Sequence, residues 1–522
     1  MKAQPGLTQV EKDKLEIDPD FDFREIATRP FEEISPNELA MFKWSGVYNQ
    51  LQTEFFMVRI VIPGGRLTTG QFNRAIALAE EYARGELCIT TRQTLQFHWV
   101  RQADIHKVIE GMAEEGITTK NGCGDVPRNV IGDSLAGAGP NQIGDSLKLI
   151  RALATDGEIQ NQRNLPRKHK ISVASSNDAL AQTLMNCQGW VPVDRDGVVG
   201  WKFHAGGGLG ARPYLAKVIF DWVPEELVLD VARATVEVFR LHGNRQQRTK
   251  ARLKIVVDSM GPRPFGELLL KLLKERGVQG LEKIELAKDP VPNIGRMSLN
   301  GEEVVPQKEV GKSIVRVLVP RAELKTDESR ILSRLADELG GGAVVFTNRQ
   351  NVELHGVPNG NVDQLLEELH KAGLRTAGHE HLPDIVACVG TTMCKMAVSD
   401  APDAYHRLYD ALAPDEKYWK SIGTLRINIA GCPNNCAHAW IADIGLRGRC
   451  GRDGEGYSIF VGGKLSEAGR IAEHLCDVAM DKLVSKVRKI LDTYLENRES
   501  GGELFVDFCE RIGIEKFREL VP

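Results

Sequence analysis

A block of about forty residues occurs twice in this chain at one constant offset, and that duplication constrains the fold more than any other feature. Val58-Arg-Ile-Val-Ile-Pro63 returns 257 residues later as Val315-Arg-Val-Leu-Val-Pro320. Ile89 to His98 returns at the same offset as Phe346 to His355. The β-branched runs ending at proline predict strands. Thr68 to Ala83 predicts a helix with Phe72, Ala75, Ala79 and Tyr82 along one side, and Leu332, Leu335 and Leu339 carry the matching stripe. Further on, Lys170-Ile-Ser-Val-Ala is echoed by Arg426-Ile-Asn-Ile-Ala, and Phe203-His-Ala-Gly206-Gly-Gly-Leu209 by Ile459-Phe-Val-Gly462-Gly-Lys-Leu465, both at an offset of 256. The expected fold is a duplicated α+β unit, with mixed sheets flanked by helices and one site at a pseudo-twofold interface.

At 522 residues the chain holds several domains, and its 42% hydrophobic and 26% charged content gives it an ample core. A net charge of −4 suggests neither nucleic acid nor membrane as a partner. No apolar run approaches the ~18 residues that span a bilayer. The start shows no leader or transit character, so a cytoplasmic protein is expected. Residues 1–45, interrupted by Pro30 and Pro36, read as an extended arm. Residues 466–522 read as amphipathic helices, with Ile471, His474, Leu475 and Val478 at helical spacing.

Four of the ten cysteines form two spaced pairs near the C-terminal end. Cys388 and Cys394 bracket Val-Gly-Thr-Thr-Met. Cys432 and Cys436 bracket Pro-Asn-Asn, with Gly431 in front. Four thiolates from two short loops can hold a cubane iron–sulfur cluster. The first spacing is wider than zinc pairs usually are. The plain alternative is four buried structural cysteines. Cys88, Cys187, Cys450, Cys476 and Cys509 sit in no motif and read as packed thiols. Ala437 to Gly445 reads as a helix beside the second pair, with His438 a packing histidine.

Cys-x5-Cys followed by Gly-Cys-Pro-Asn-x-Cys resembles the sirohaem and [4Fe–4S] sulfite/nitrite reductase family. The resemblance implies that Cys388, Cys394, Cys432 and Cys436 hold the cluster, with Cys436 bridging to the sirohaem iron and Asn434 beside it. Thr91-Arg92-Gln-Thr-Leu-Gln96-Phe-His98 resembles a sirohaem-contacting strand, which implies Arg92, Gln96 and His98 at the macrocycle. Asp125-Val-Pro-Arg128 and Arg59 match two substrate arginines. Leu165-Pro-Arg167-Lys168-His-Lys170 matches a stretch whose arginine meets sirohaem and whose two lysines face the substrate. Gly243-Asn-Arg245 through Arg252 resembles a clamp on sirohaem carboxylates. Gly206-Gly-Gly208-Leu-Gly fits close backbone approach to the macrocycle better than a phosphate loop. Tyr48 and Cys123 match the positions of a thioether link found in some ferredoxin-dependent members.

The domains expected on this resemblance are an N-terminal arm (1–54), a ferredoxin-like half-domain (55–120), a sirohaem and substrate domain (121–300), a second ferredoxin-like half-domain (301–380) and a [4Fe–4S]/sirohaem domain (381–522). The implied activity is six-electron reduction of sulfite to sulfide, with nitrite as the alternative substrate. Arg59 and Arg128 would clamp the anion's oxygens, while Lys168 and Lys170 bind it and relay protons. No flavin or nicotinamide fingerprint is present, so electrons are expected from a separate protein; Lys43-Trp-Ser-Gly-Val-Tyr48, Phe56-Met-Val-Arg59 and Lys395 resemble the ferredoxin-dependent branch, which implies reduced ferredoxin as donor, and a monomer is expected. A cluster protein that only transfers electrons or senses, and a structural zinc protein, are the rival classes. Lys170, where nitrite-specialised members tend to have asparagine, favours sulfite.

Overall fold

The computed structural model describes residues 6–296, 299, 301–451 and 454–522. Its described strands form four sheets, two for each half of the chain. In the first sheet the order is Val47–Asn49, Phe55–Arg59, Leu95–Arg101, Glu86–Ile89 and Glu323–Lys325. The last of these strands comes from the second half. The reciprocal sheet runs Val304–Pro306, Lys312–Val317, Val352–Pro358, Ala343–Phe346 and Arg66–Thr68, the last from the first half. Each repeat thus completes its partner's sheet.

The helices predicted between the repeated strands form as Thr69–Tyr82 and Thr326–Glu338. Thr68 starts the first, accepting from Gln71 N–H while the Gln71 side chain accepts from Thr68 N–H. The two helices pack together over a core shared by both halves, and the Phe72 and Phe346 rings meet edge-on at 5.6 Å. This exchange of strands and apolar faces makes the two halves one folding body and fixes the pseudo-twofold axis.

The other two sheets carry the site. One runs Glu285–Leu286, Lys217–Pro224, Val198–Ala205, Gln188–Arg195, Ile171–Val173 and Ile131–Gly132. Its mate runs Val386–Ala387, Ile427–Ala430, Ile444–Gly451, Gly454–Val461 and Glu473–Ala479. Each has parallel pairs at one edge and antiparallel pairs at the other. The cysteine loops leave the carboxyl ends of the parallel strands Val386–Ala387 and Ile427–Ala430, where an open sheet leaves a crevice, and Lys168 and Lys170 lead into the parallel strand Ile171–Val173.

Three local expectations are corrected. The arm is not extended: it folds into the helices Gln9–Glu16, Phe23–Ile26 and Pro36–Met41. Pro36 stands at a helix start, where a missing N–H costs nothing, and Ser35 caps it. Ala437 to Gly445 is not a helix but a short 3-10 turn, Ala439–Ile441, leading into a strand. Asn428 Nδ2 donates to the Ala437 carbonyl and Asn435 Oδ1 accepts from Ala439 N–H, each at 2.7 Å, so side-chain amides take backbone groups a helix would need. Finally, Glu473–Ala479 is a strand. A bulge leaves Leu475 unpaired between His474 and Cys476, which places Leu475 and Val478 on the same buried side despite their three-residue spacing. Helices follow only from Leu483 onward.

Candidate active site

The repeated turn that carries Arg92 explains how the site is built. Thr90 and Thr94 exchange a backbone hydrogen bond at 2.9 Å, and Gln93 sits at φ +56°. Thr347, Asn351 and Gln350 (φ +65°) repeat the same turn around Arg349. Gly65 makes it possible: a Cβ there would lie 2.3 Å from the Phe346 carbonyl oxygen.

Arg92 points its Nη1 at Asn186 Oδ1 (3.0 Å) and its Nη2 at the Asn129 carbonyl (2.6 Å). Arg128 donates from Nε and Nη1 to the carbonyls of Gly124 and Gly122, each at 3.1 Å. Arg59 Nη1 reaches the Gly122 carbonyl at 3.3 Å. All these acceptors are neutral. Among the described residues, Arg59, Arg92, Arg128, Lys168, Lys170 and Arg252 make no ion pair with any Asp or Glu, and the Nε atoms of Arg59, Arg92 and Arg252 are buried without a partner. A gathering of cations without internal counter-charge is stable only when an anion completes it.

The electrostatics tie these residues together. Burial pushes Lys168 down to about 7, helped by Arg167, Arg252 and Arg128. Burial, Arg92 and Lys168 hold Lys170 well below the usual lysine range. Both lysines keep some surface open to the crevice while lying deep beneath the protein surface. Both also feel Cys436, so the cation group and the second cysteine pair share one crevice. Thr91 Oγ1 closes the seam between the halves, donating to the Cys436 carbonyl at 3.0 Å.

The four motif cysteines lie within each other's electrostatic reach. Gly431 N–H donates to Cys388 Sγ at 3.1 Å and Met396 N–H to Cys394 Sγ at 3.4 Å. Burial pushes the Cys388 thiol up to about 12, with Cys436 adding to the rise. Iron would displace those protons. Among the described residues no three His, Cys, Asp or Glu side chains close on a single-ion position.

Other expected residues fall at the same crevice. His98 is buried, faces Arg59 and is pushed down to about 3 by burial, which leaves it neutral; its Nδ1 meets Gln50 Oε1 at 3.2 Å. Gln96 pairs with Arg59 across the sheet. Arg252 packs on Gly208, where a Cβ would lie 2.8 Å from Nη2. Arg167 binds Asp125 at 3.0 Å. Tyr48 and Cys123 are electrostatic neighbours of each other and of Arg128, and the Lys43 ammonium lies 5.1 Å from the Tyr48 ring centre. Asn434 is exposed, next to Cys432 and away from the cation group's hydrogen bonds.

His438 is the buried packing histidine expected, and it packs at the site: it lies within electrostatic reach of Lys170, Arg92 and Lys168, on a left-handed backbone (φ +64°). Two site residues escaped sequence reasoning. Cys187 accepts from Arg252 Nη2 at 3.6 Å; burial pushes its thiol up, but Arg252 and His169 outweigh it and hold it well below the usual thiol range. Lys254 is buried, donating to the Gly208 carbonyl at 3.2 Å. Conversely, Cys450 is exposed rather than packed, and Cys476 is half-buried.

The second repeat has a matching cavity, lined by Gln182, Arg316, Arg349, Glu353, His379, Glu380 and Arg426. By the same offsets these are the counterparts of His438, Arg59, Arg92, Gln96, Cys123, Gly124 and Lys170. Here the cations are neutralised internally. Arg316 pairs with Glu380 at 3.1 Å, Arg349 with Asp384 at 2.7 Å and Arg426 with Asp443 at 3.2 Å. Only the first copy keeps its charge for something else.

The comparisons agree with this geometry. Residues 123–276 and 380–522 match the nitrite and sulphite reductase 4Fe-4S domain, and residues 48–115 and 305–372 match the nitrite/sulfite reductase ferredoxin-like half domain. A chloroplastic ferredoxin–nitrite reductase of Zea mays is 30% identical, covering 90% of this chain and 86% of its own. An assimilatory ferredoxin-dependent nitrite reductase of Haloferax mediterranei is 29% identical (95% and 89%). A sulfite reductase [ferredoxin] of Mycolicibacterium paratuberculosis is 27% identical (94% and 92%). The solved structure of the Mycobacterium tuberculosis NirA protein superposes with a TM-score of 0.86 at 26% identity, covering 98% of both chains. The chain belongs to the nitrite and sulfite reductase family, whose enzymes carry sirohaem and a [4Fe–4S] cluster.

Proposed function

We propose that this enzyme reduces sulfite to sulfide with electrons from reduced ferredoxin. The observation that carries the reading is the set of six cations without carboxylate partners in the crevice that also holds Cys436. Sirohaem fits that set, because its carboxylates would supply the missing negative charge to Arg92 and Arg252 and add to Asp125 at Arg167, with Gln96, His98 and Gly208 against the ring. Cys388, Cys394, Cys432 and Cys436 would hold the cluster, with Asn434 in its loop and Cys436 shared with the sirohaem iron. When bound, these groups would pass the electrons of reduced ferredoxin to the anion.

The chain's own residues do the rest. Arg59 and Arg128, fixed by the Gly122 and Gly124 carbonyls, hold the anion's oxygens. Their charge stabilises negative charge that grows on those oxygens. Lys168 Nζ, with its value near 7, can give a proton to a departing oxygen and be recharged from solvent at neutral pH. Lys170 adds one more cation, and the doubly charged anion gains more from it than nitrite does.

The cations also argue against a protein that only transfers electrons, which would have no use for them. The relatives named as nitrite reductases support nitrite as a second substrate. Measuring kcat/KM for both anions with one reduced ferredoxin tests the choice. Sulfite is expected to lead. A tenfold preference for nitrite, about 1.4 kcal/mol at the transition state, would reverse the assignment, and turnover with NADPH alone would remove ferredoxin. Among the described residues no helix is long and apolar enough to cross a membrane. A cytoplasmic monomer is the form proposed.

A further inference from the structure

Asp125 is fully buried and receives cations from three distant parts of the chain. Arg248 Nη1 lies at 2.7 Å, Arg167 Nη1 at 3.0 Å and Lys14 Nζ at 3.2 Å. Lys14 belongs to the N-terminal helix Gln9–Glu16, and its side chain is 1% exposed. It also donates to Glu11 at 2.5 Å and to the Leu165 carbonyl at 2.8 Å, on the strand approach to Arg167. Glu11 in turn accepts from Arg245 Nη1 at 2.6 Å. One ionic chain therefore runs from Arg245 through Glu11, Lys14 and Asp125 to Arg167 and Arg248.

The charges do not cancel. Lys14, Arg167, Arg245 and Arg248 stand against Glu11 and Asp125, which leaves two positive charges over. The three buried charges, Lys14, Glu11 and Asp125, are held rigidly by one another. The surplus sits on the arginines, whose side chains remain 28% (Arg167), 33% (Arg248) and 22% (Arg245) exposed. Arg167 bears on Lys168, so this surplus faces the site crevice. Arg248 forks onto both Asp125 oxygens, Nη2 to Oδ1 at 3.1 Å and Nη1 to Oδ2 at 2.7 Å, while Arg167 shares Oδ1 and Lys14 shares Oδ2. Without Lys14 the buried carboxylate loses one of its three cations, and the anchor of both guanidiniums is no longer fixed from the helix side.

We infer that Lys14 and Glu11 are positioning residues: through Asp125 and Arg245, the N-terminal helix sets the guanidiniums of Arg167 and Arg248 to receive the carboxylates of the cofactor. This rests on the reading of the crevice as the sirohaem site. The helix also packs on the helix Pro36–Met41. Val10 and Ile17 are its partly buried apolar contacts with Met41, Trp44 and Val126, and Lys14 lies 6.0 Å from the Trp44 ring centre.

The test uses the full chain, produced with sirohaem supply, as wild type, Lys14→Met, Lys14→Arg and Lys12→Met. Lys12 lies on the same helix but is exposed. Far-ultraviolet circular dichroism of each variant separates loss of sirohaem from loss of fold, and Lys14→Arg keeps the buried charge should Lys14→Met unfold. Two quantities are read: sirohaem bound per polypeptide, and hydrogen exchange of the peptide covering residues 8–17. Lys14→Met is expected to lose at least two-thirds of its sirohaem and to exchange at least tenfold faster. Lys14→Arg recovers at least half of the bound sirohaem, and Lys12→Met changes neither quantity. Lys14→Met that exchanges faster yet holds wild-type sirohaem would show a helix that merely packs, and the inference falls. It falls also if both quantities stay at wild type, or if Lys14→Arg recovers nothing. A wild-type chain that takes up no sirohaem overturns the reading of the crevice itself, and the inference with it.

Discussion

Arg349 donates to Asp384 at 2.7 Å, whereas its counterpart Arg92 has Arg128 standing where Asp384 would be. A carboxylate in one repeat is a guanidinium in the other. Two copies of one scaffold thus hold opposite charge balances: the second is closed by its own acids, and the first waits for an external anion. The Arg349–Asp384 pair is also nearly inaccessible, at 10% and 2% side-chain exposure.

That contrast predicts opposite behaviour on removing each arginine. Arg349→Met strands a buried carboxylate and should cost the cofactor-free chain about 3 kcal/mol, as breaking buried pairs does. Arg92→Met relieves a crowd of like charges, so it should leave the cofactor-free chain at least as stable while sharply lowering bound sirohaem. Urea unfolding and sirohaem content, measured on both variants, check this. Equal destabilisation by the two would contradict it.

The cysteine assignment predicts that Cys436→Ser loses cluster and sirohaem together, since one thiolate serves both. Cys450→Ser, at an exposed position near the end of the strand Ile444–Gly451, should leave both intact. Iron and acid-labile sulfide analysis beside the absorption spectrum decides it. A Cys436→Ser protein with normal iron, sulfide and sirohaem bands would sink the bridge.

Sequence alone went far where identity repeats and less far where structure depends on what lies across the crevice. The constant offset made the duplicated strands, the helix Thr69–Tyr82 and the site turn around Arg92 readable. The strand exchange between the halves was not readable, because three-residue strands such as Glu323–Lys325 carry no periodicity of their own. Glu473–Ala479 misled because a bulge gives a strand helix-like spacing. His438 and Cys187 carry no motif. Their place at the site comes from a left-handed turn and from a strand end, which only the folded chain brings beside Lys170 and Arg252. The internal acids of the second repeat could have been found, since Glu353 stands where Gln96 does in the aligned blocks.

The depressed lysine gives a pH signature. Lys168 titrates at about 7 in the folded chain, against 10.5 ordinarily, because burial disfavours its charge. Below about 7 it is charged in both the folded and the unfolded chain, and the full cost of burying that charge is felt. As pH rises towards 10.5 the folded chain has already lost the proton and the cost fades. Lys168→Met should therefore stabilise the cofactor-free protein most below about pH 7, with the gain shrinking as pH rises. Denaturation midpoints of wild type and variant across that window test it. A gain that grows with pH would reverse the sign and reject the assignment.

Tyr48 and Cys123 are predicted to be joined as a thioether. Their mutual proximity at Arg128, with Lys43 over the tyrosine ring, brings phenol and thiol to one wall of the crevice. Peptide mass spectrometry should find the two segments as one species, lighter than their sum by two hydrogens, one from the thiol and one from the phenol ring, whose two electrons go to an external oxidant such as dioxygen. Separate unmodified peptides from active enzyme would exclude the link.

The last prediction separates the substrates at Lys170. Its counterpart in the second repeat, Arg426, has Asp443 at 3.2 Å, but at the matching place beside Lys170 the first repeat has Cys187. Cys187 takes Arg252 Nη2 at 3.6 Å, and Lys170, with no carboxylate partner among the described residues, is left for whatever enters the crevice. Sulfite is largely doubly charged near neutrality and nitrite singly, so removing one cation takes roughly twice as much attraction from the first. Lys170→Asn keeps a polar side chain of smaller size and removes the charge. It should lower kcat/KM for sulfite at least tenfold more than for nitrite, a difference of about 1.4 kcal/mol. The loss should shrink as salt rises, though less than for a surface charge, because the crevice shields it from the counter-ions. Equal losses for both anions would mean that Lys170 serves cofactor binding or proton supply alone, and that substrate charge is read elsewhere.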